Sequence, residues 1–501
     1  MERLTGKDAE QMLQAVREHD GARLQSLVAG GLSPNVCSEM GETPLGLAVY
    51  ADDAEMVSLL LASGASPGQE HMDMGLPLDI AASRGRLPVL KALLDAGLNP
   101  NDGTLGHPLL TAVRNGQSGA SWLLLAYGAD PNAAGADGLA PLHYAAMRDA
   151  RETVAVLLQN GASPDARTTG GAPPLHVGAM ANAIRVLALL KDGGANLNAL
   201  AVTLDEGVMQ QCASLGCSTL CSHPLTASCI TGGAANADRW QEHGLGFSAL
   251  HYAAASGATD AIEYLCAAGA DRTAGTFASP VAGSLAEYPG LALPTPLHLA
   301  VAAGELPAVA ALVSHGADMN ARSHPRLALA PPCRDCGFPV SSPLQWAVKL
   351  GQHKIAWFLL ERGAPASPLG SDAWGAAPVR PLYSAVMAGD DDMARLLIRH
   401  GANPNDWRDK GDAEASKAPE TLTPLHWAAA KGDLSFALTL LAHGADINAG
   451  AAHRSTPTPL DCALAQGHEE MAEVLREHGA SASLGLDDCP AGETTKGGSS
   501  C

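Results

Sequence analysis

Apolar residues recur along the chain as pairs of short blocks at a fixed distance, each pair followed by a polar, turn-rich stretch. The segment "TPLHWAAAKG" (423–432) opens one such pair, and near copies stand as "TPLHLAVAAG" (295–304) and "SALHYAAASG" (248–257). Aligned on the Pro, copies begin at Pro44, Pro77, Pro108, Pro141, Pro174, Ala249, Pro296, Pro343, Pro381, Pro424 and Pro459, and Leu follows at once in each. Four positions on lies a tiny residue, Ala everywhere except Gly178. Eight positions on lies Gly, Asn or Asp, as in Asp52, Gly85, Asp149 and Asn182. Twenty positions on lies Gly in every copy, from Gly64 to Gly479.

Each offset has a physical reading. Proline suits the first position of a helix, where its missing N–H would have no partner in any case. Thr or Ser just before it (Thr43, Thr295, Ser342, Thr423, Thr458) can cap that helix through the hydroxyl. Gly, Asn and Asp tolerate a left-handed backbone, so the first helix is predicted to stop at offset eight after about two turns. A second helix follows, as in "LSFALTLLAHG" (434–444), whose apolar residues recur at helical spacing. The Gly at offset twenty ends it. The unit is helix, tight turn, helix, loop. Two helices this short cannot bury their apolar faces alone, so the units are expected to stack into a solenoid.

The interval between Pro positions is 33, 31, 33 and 33 residues at first, then 75, 47, 47, 38, 43 and 35. The long interval is expected to hold a degenerate copy beginning at Pro224, with Leu225, Ser228, Gly232 and Gly244 at offsets 1, 4, 8 and 20. An opening unit is expected around Gln11, with Ala15 and Gly31 at offsets 4 and 20. The chain thus divides into an N-terminal capping repeat (1–40) and regular repeats (41–200). Repeats with long insertions follow (201–457, including a degenerate one at 223–246), then a C-terminal capping repeat (458–483) whose second helix is charged, and an aperiodic tail (484–501) expected to be disordered.

The pattern resembles the ankyrin repeat, a unit of about 33 residues with a T-P-L-H-x-A signature. That signature stands here as "TPLHLA" (295–300), "TPLHWA" (423–428), "APLHYA" (140–145) and "SALHYA" (248–253), with trailing segments "GADPN" (128–132), "GADMN" (316–320) and "GADIN" (444–448). The resemblance implies an all-α array of about 12–13 repeats, with hairpin loops projecting at right angles to the helices. It also implies a concave surface of loops and first helices that binds other proteins.

Composition narrows the function further. With 52 acidic against 31 basic residues the net charge is −21, which argues against general nucleic-acid binding. No apolar run approaches the ~20 residues that span a bilayer, and "MERLTGKDAEQ" does not read as a signal peptide. The expectation is a cytoplasmic monomer without a cofactor, bound to a protein partner whose identity the sequence does not give. Only 4% of residues are aromatic, so the core is built mainly from Ala, Leu and Val.

All variation in length falls between the Gly at offset twenty and the next Pro, on the loop edge. The long connectors 195–223, 270–295, 317–342, 364–380 and 402–423 carry Phe277, Tyr288, Phe338, Trp374 and Trp407. Aromatics at loop tips either anchor a partner or fold back to cover the array. The recurring His143, His176, His251, His298 and His426 invite a catalytic or metal reading. Their repetition at one structural position points instead to hydrogen bonds with the capping residue and nearby backbone. Tyr144, Tyr252 and Trp427 follow three of them at a core offset, which Trp346 also occupies.

Cysteines supply the chemical alternative, a metal- or redox-dependent module on the loops 195–223 and 317–342. Cys333 and Cys336 have C-x2-C spacing, and Cys212, Cys217, Cys221 and His223 form a second partial ligand set. Eleven cysteines at irregular spacing do not form a secreted disulfide framework, and inert thiols are the default. "GASPG" (64–68) matches a nucleophile-elbow pattern, but Gly64 is the helix-ending Gly of a repeat, not the end of a strand. "GDDDM" (389–393) places acidic residues where a helix dipole favours them.

Overall fold

The structure is a computed structural model that describes residues 6–72, 75–103, 107–201, 247–273, 294–322, 341–367, 380–405, 422–450 and 457–482. Among these residues there are 24 helices and no strand, with one isolated antiparallel bridge between Ala201 and Phe247. The degenerate copy expected at 223–246 and the tail at 484–501 lie outside the described residues.

The helices come in pairs at the offsets given by the sequence. Each first helix from Pro44 onward begins on its Pro, or on Ala249, and runs seven or eight residues, as in Pro141–Met147 and Pro296–Ala303. Each second helix runs nine, as in Arg151–Gln159 and Leu306–Ser314. At offset eight the backbone turns left-handed: φ is 62° at Asp52, 50° at Asp149, 56° at Asn182 and 72° at Gly432. At offset twenty all the helix-ending glycines have φ between 82° (Gly316) and 95° (Gly479). Most have nothing within 4 Å of the place a Cβ would occupy, so backbone conformation, not crowding, calls for glycine there. Several second helices start under an aspartate cap: Asp53, Asp390 and Asp433 accept from the N–H of Met56, Met393 and Phe436.

The opening pair differs. Its first helix is Gly6–Arg17, starting five residues ahead of Gln11, because no Pro fixes a first turn at that point. His19 takes the left-handed position with φ 55°. Histidine is among the few non-glycine residues enriched there.

Contact clustering divides the described residues into two compact units, 6–201 with 247–253 and 254–482. Within each unit, successive first helices pack on one another, as Pro77–Arg84 does on Pro108–Arg114 and Pro343–Lys349 on Pro381–Met387. Second helices do the same, as Leu87–Asp95 on Ser118–Ala126 and Leu306–Ser314 on His353–Glu361. The Ala at offset four is at most 2% exposed in every copy, and it lets the backbones approach. At Gly178 a Cβ would sit 3.3 Å from Leu187 Cδ2, so this copy gives up even the methyl group. Offset sixteen, on the second helix, is a fully buried Leu in every copy from Leu60 to Leu475. Each such Leu contributes about 1.5–3 kcal/mol of apolar burial. The core is a stack of Ala, Leu and Val layers, which suits a chain with few aromatics.

Candidate interaction surface

Two polar ladders run through the repeats, and both serve the fold. The first is built by the motif histidines. Nδ1 of His143, His251, His298 and His426 lies 3.0–3.3 Å from the backbone N of the helix-capping residue three positions earlier (Ala140, Ser248, Thr295, Thr423) and accepts its hydrogen. Where that residue carries a hydroxyl, its oxygen also reaches Nδ1, at 2.9 Å for Ser248, 2.8 Å for Thr295 and 2.9 Å for Thr423. Nε2 then donates to a carbonyl of the following copy, always two residues before its helix start: His143 to Ala172 at 3.1 Å, His176 to Phe247 at 3.0 Å, His298 to Ser341 at 3.0 Å and His426 to Pro457 at 2.9 Å. A ring that donates at Nε2 and accepts at Nδ1 must be neutral. Burial enforces this, pushing His143 down to about 4 and His176 to about 3, and lowering His426 as well. These rings are committed to stacking and free for neither catalysis nor metal.

Seven copies depart from the pattern: Asp79, Leu110 and Tyr383 stand at the histidine position after Pro77, Pro108 and Pro381, and four others show how the histidine's bonds are replaced or lost. At Pro44 the histidine position is Gly46, and a Cβ there would fall 2.2 Å from the ring of His71. His71 comes from the following connector and accepts the Thr43 N–H at Nδ1 (3.1 Å), filling the vacancy from another part of the chain. Burial lowers its pKa too. At Pro343 the position is Gln345, whose Oε1 accepts from the Ser342 N–H at 2.6 Å. At Pro459 it is Asp461, which accepts from Thr458 N–H and Oγ1 at 2.9 and 2.8 Å. At Pro174 the capping residue is Pro173, which has no N–H, and His176 Nδ1 is buried without a hydrogen-bond partner among the described residues.

The second ladder lies at offset twenty-four. Asn132 donates its amide to the Gly161 carbonyl and accepts from the Ser163 N–H (3.0 and 2.8 Å), clamping the end of the next copy's second helix. Asn35, Asn101, Asn405 and Asn448 make the same pair of bonds. At Asp165 only the accepting half remains, from the Asn196 N–H.

The loop aromatics Phe277, Tyr288, Phe338, Trp374 and Trp407 lie outside the described residues, as do Cys212, Cys217, Cys221, His223, Cys333 and Cys336. Among the described residues no group of three or more His, Cys, Asp or Glu side chains is placed to hold a metal ion. Cys266 and Cys462 are buried and Cys37 is exposed. Burial pushes the Cys266 thiol up to about 11, which disfavours the reactive thiolate. Tyr144, Tyr252 and Trp346 are core residues at 2% exposure, whereas Trp427 is only partly buried. Large exposed apolar side chains stand elsewhere: Trp122 (56%), Trp357 (52%) and Leu438 (43%). All three occupy offset fourteen, on the outer side of a second helix, and a position-by-position comparison of second helices carries that signal in the sequence.

A family model for ankyrin repeats matches residues 12–104, 109–201, 210–323 and 382–485, most of the chain. The chain belongs to the ankyrin-repeat family. Curated relatives include the human transient receptor potential cation channel subfamily A member 1 (32% identical over 124 residues, 24% of this chain). They also include alpha-latroinsectotoxin-Lt1a of Latrodectus tredecimguttatus (31% over 112 residues, 22%) and the mouse 2-5A-dependent ribonuclease (35% over 81 residues, 16%). The chain spans only 11%, 8% and 11% of the length of these relatives. Solved ankyrin domains similar to part of it include that of Bcl-3 (25% identical, 40% of this chain and 96% of that one, TM-score 0.36). An ankyrin domain from Acinetobacter baumannii AYE gives 22% identity, 37% and 98% coverage and TM-score 0.35. No helix among the described residues is long and apolar enough to cross a membrane.

Proposed function

We propose that this ankyrin array is a non-enzymatic scaffold that holds a protein partner on the concave face and hairpin edge used by its family. The observation that carries this reading is the commitment of the recurring polar side chains of the frame. Histidines and asparagines that could serve chemistry are spent on bonds between repeats. What remains variable from copy to copy is the connector edge and the exposed surface. A preorganised array loses little conformational freedom on binding, so contact area converts efficiently into affinity. A specific contact buries about 800 Å² per side, which three or four repeats supply. The connector aromatics Trp374, Trp407, Tyr288, Phe338 and Phe277 are the proposed anchors, and the protein is proposed to act as a cytoplasmic monomer.

The test is affinity capture with mass spectrometry, comparing the full chain with Trp374→Ala/Trp407→Ala and with a chain whose 364–380 and 402–423 connectors are cut to regular length. The expected result is a partner retained by the full chain and lost by both variants while their helical melting curves are unchanged. A drop in melting temperature with the partner still bound would mean that these aromatics cover the array instead of binding.

A further inference from the structure

We propose that the first two hairpin tips form a docking spot for a basic partner segment that carries an apolar residue between its cations. The inference rests on the scaffold reading and adds the partner's chemistry to it. Its centre is a pair of methionines. Met40 is 74% exposed and Met72 40%, and they stand on adjoining tips. The Met72 N–H donates to the Gly41 carbonyl at 2.8 Å, and a Cβ on Gly41 would lie 3.3 Å from Met72 Cα.

The frame accounts for the contact between tips but not for methionine at either place. Stacking of tips recurs where a Cβ on Gly138 would lie 3.3 Å from the backbone N of Thr169. Met40 is the third residue of the turn Ser38–Gly41, closed by the bond from the Gly41 N–H to the Ser38 carbonyl at 3.0 Å. The turns Gly135–Gly138 and Thr168–Gly171 are closed in the same way at 2.9 Å, and their third residues are Asp137 and Gly170, ordinary turn formers. Met72 has φ 52°. The other non-glycine residues with positive φ among those described are His19, Asp52, Asp149 and Asn182, types that tolerate it. The backbone turns at Met72 because His71 points inward to fill the space over Gly46. Gly or Asn would meet that demand with less strain. Methionine supplies instead an exposed, adaptable apolar side chain.

Charge complementarity identifies the occupant. Glu39 precedes Met40, and Glu70 stands two residues before Met72. Both are exposed, and neither has an ion pair among the described residues. No Lys or Arg occurs in 35–43 or 66–76. Arg17, which reaches Glu42 at the base of the first tip, is shared between Glu42 and Glu10 at 2.8 Å each. Isolated apolar residues are ordinary on a surface. Two on stacked tips, beside free carboxylates and no cation, match a segment whose apolar residue covers both thioethers. Lys or Arg on either side of that residue then meets Glu39 and Glu70.

The probe is a fluorescein-labelled peptide with Lys-Leu-Leu-Lys between Gly-Ser linkers, read by anisotropy with the full-length protein. Controls carry Lys-Ser-Ser-Lys or Glu-Leu-Leu-Glu in the same linkers. The expected order is Lys-Leu-Leu-Lys tightest, Lys-Ser-Ser-Lys about tenfold weaker and Glu-Leu-Leu-Glu without binding, with the signal falling as salt rises. Met40→Asn/Met72→Asn should bring the Leu peptide down to the level of the Ser peptide. Its melting temperature should stay level or rise, because Asn fits both turns. Glu39→Gln/Glu70→Gln should weaken both Lys peptides about threefold. Equal binding of the two Lys peptides, or a methionine double variant that binds as the parent does, would overturn the site. So would a methionine double variant that melts earlier, since those side chains would then be covering the array. If the peptide fails while the intact chain still captures a partner, the tip site falls and the scaffold stands. Failure of the full chain to capture any partner sinks the scaffold reading on which the site rests.

Discussion

Replacing Pro173 should stabilise the protein, against the usual expectation for a proline. His176 is fully buried, donates Nε2–H to the Phe247 carbonyl at 3.0 Å, and leaves Nδ1 with no partner among the described residues. In the copies at Pro141, Ala249, Pro296 and Pro424 that nitrogen accepts the N–H of the residue before the helix. Pro173 cannot donate. A buried acceptor left unpaired costs about 1–3 kcal/mol. The backbone at Pro173 (φ −74°, ψ 164°) already matches Ala140 (−78°, 161°) and Thr295 (−72°, 166°), so other residues fit without rearrangement. Against the gain stands the freedom restored to the unfolded chain when Pro is lost, about 0.4–1 kcal/mol. The net expectation for Pro173→Ala is a gain of about 0.5–2 kcal/mol, with Thr adding the hydroxyl contact seen at Thr295.

The assay is urea unfolding of the full chain followed by circular dichroism, with amide exchange around Leu175 and Val177 as the local readout. The cycle is closed by Pro173→Ala in a His176→Leu background. There the acceptor is gone, and the substitution should cost more than the ~0.4–1 kcal/mol of the lost proline constraint, because the new N–H at 173 is buried with no acceptor. If Pro173→Ala destabilises equally in both backgrounds, the unpaired nitrogen is costless and the reasoning is wrong.

Acid should unstack the repeats before carboxylates titrate. His143 (about 4) and His176 (about 3) sit below the unfolded value near 6.5, so the folded state binds fewer protons. Their stabilising bonds are fully present above pH 6.5. They are lost as pH falls from there toward 4, at about 1.4 kcal/mol per pH unit per histidine. A urea midpoint that does not move between pH 7.5 and 5 would contradict this. Asn132→Ala removes both clamp bonds to Gly161 and Ser163 and should cost about 1–3 kcal/mol. Asn132→Asp, which copies Asp165, should cost less, and urea titration of the pair checks the order.

The parts of this fold that a single residue can dictate were legible in the sequence. A Pro that starts a helix, a Gly that must take positive φ and an Ala that admits a neighbour each act within a few residues of chain. Their spacing placed the first and second helices from Pro44 onward. What depends on the next copy was not legible in the same way. Nothing within the segment 44–53 announces that His71 will fill the space left by Gly46, because the partner lies beyond the second helix. The orphaned nitrogen of His176 could have been read from "PPLH", since a Pro before the helix start removes the donor that the motif histidine needs. The pairing of Arg84 with Tyr50 joins two different copies at slightly different offsets, and simple column alignment misses it. The site is less legible than the fold because binding surface is what the repeat frame leaves unconstrained.

The histidine bond explains how the frame keeps its length while the connectors do not. From His143 to its acceptor Ala172 the chain runs 29 residues, from His426 to Pro457 31, from His298 to Ser341 43, and from His176 to Phe247 71. Across that range the acceptor is always the carbonyl two residues before the next described first helix, and the distance stays between 2.9 and 3.1 Å. At the longest interval Ala201 and Phe247 exchange N–H to carbonyl bonds of 3.0 and 2.8 Å. In chain-closure entropy, bringing together positions 71 residues apart costs only about 0.8 kcal/mol more than positions 29 apart. One Leu buried at offset sixteen outweighs that difference. Connectors of different length are therefore tolerated wherever the chain returns to the carbonyl that the preceding histidine holds.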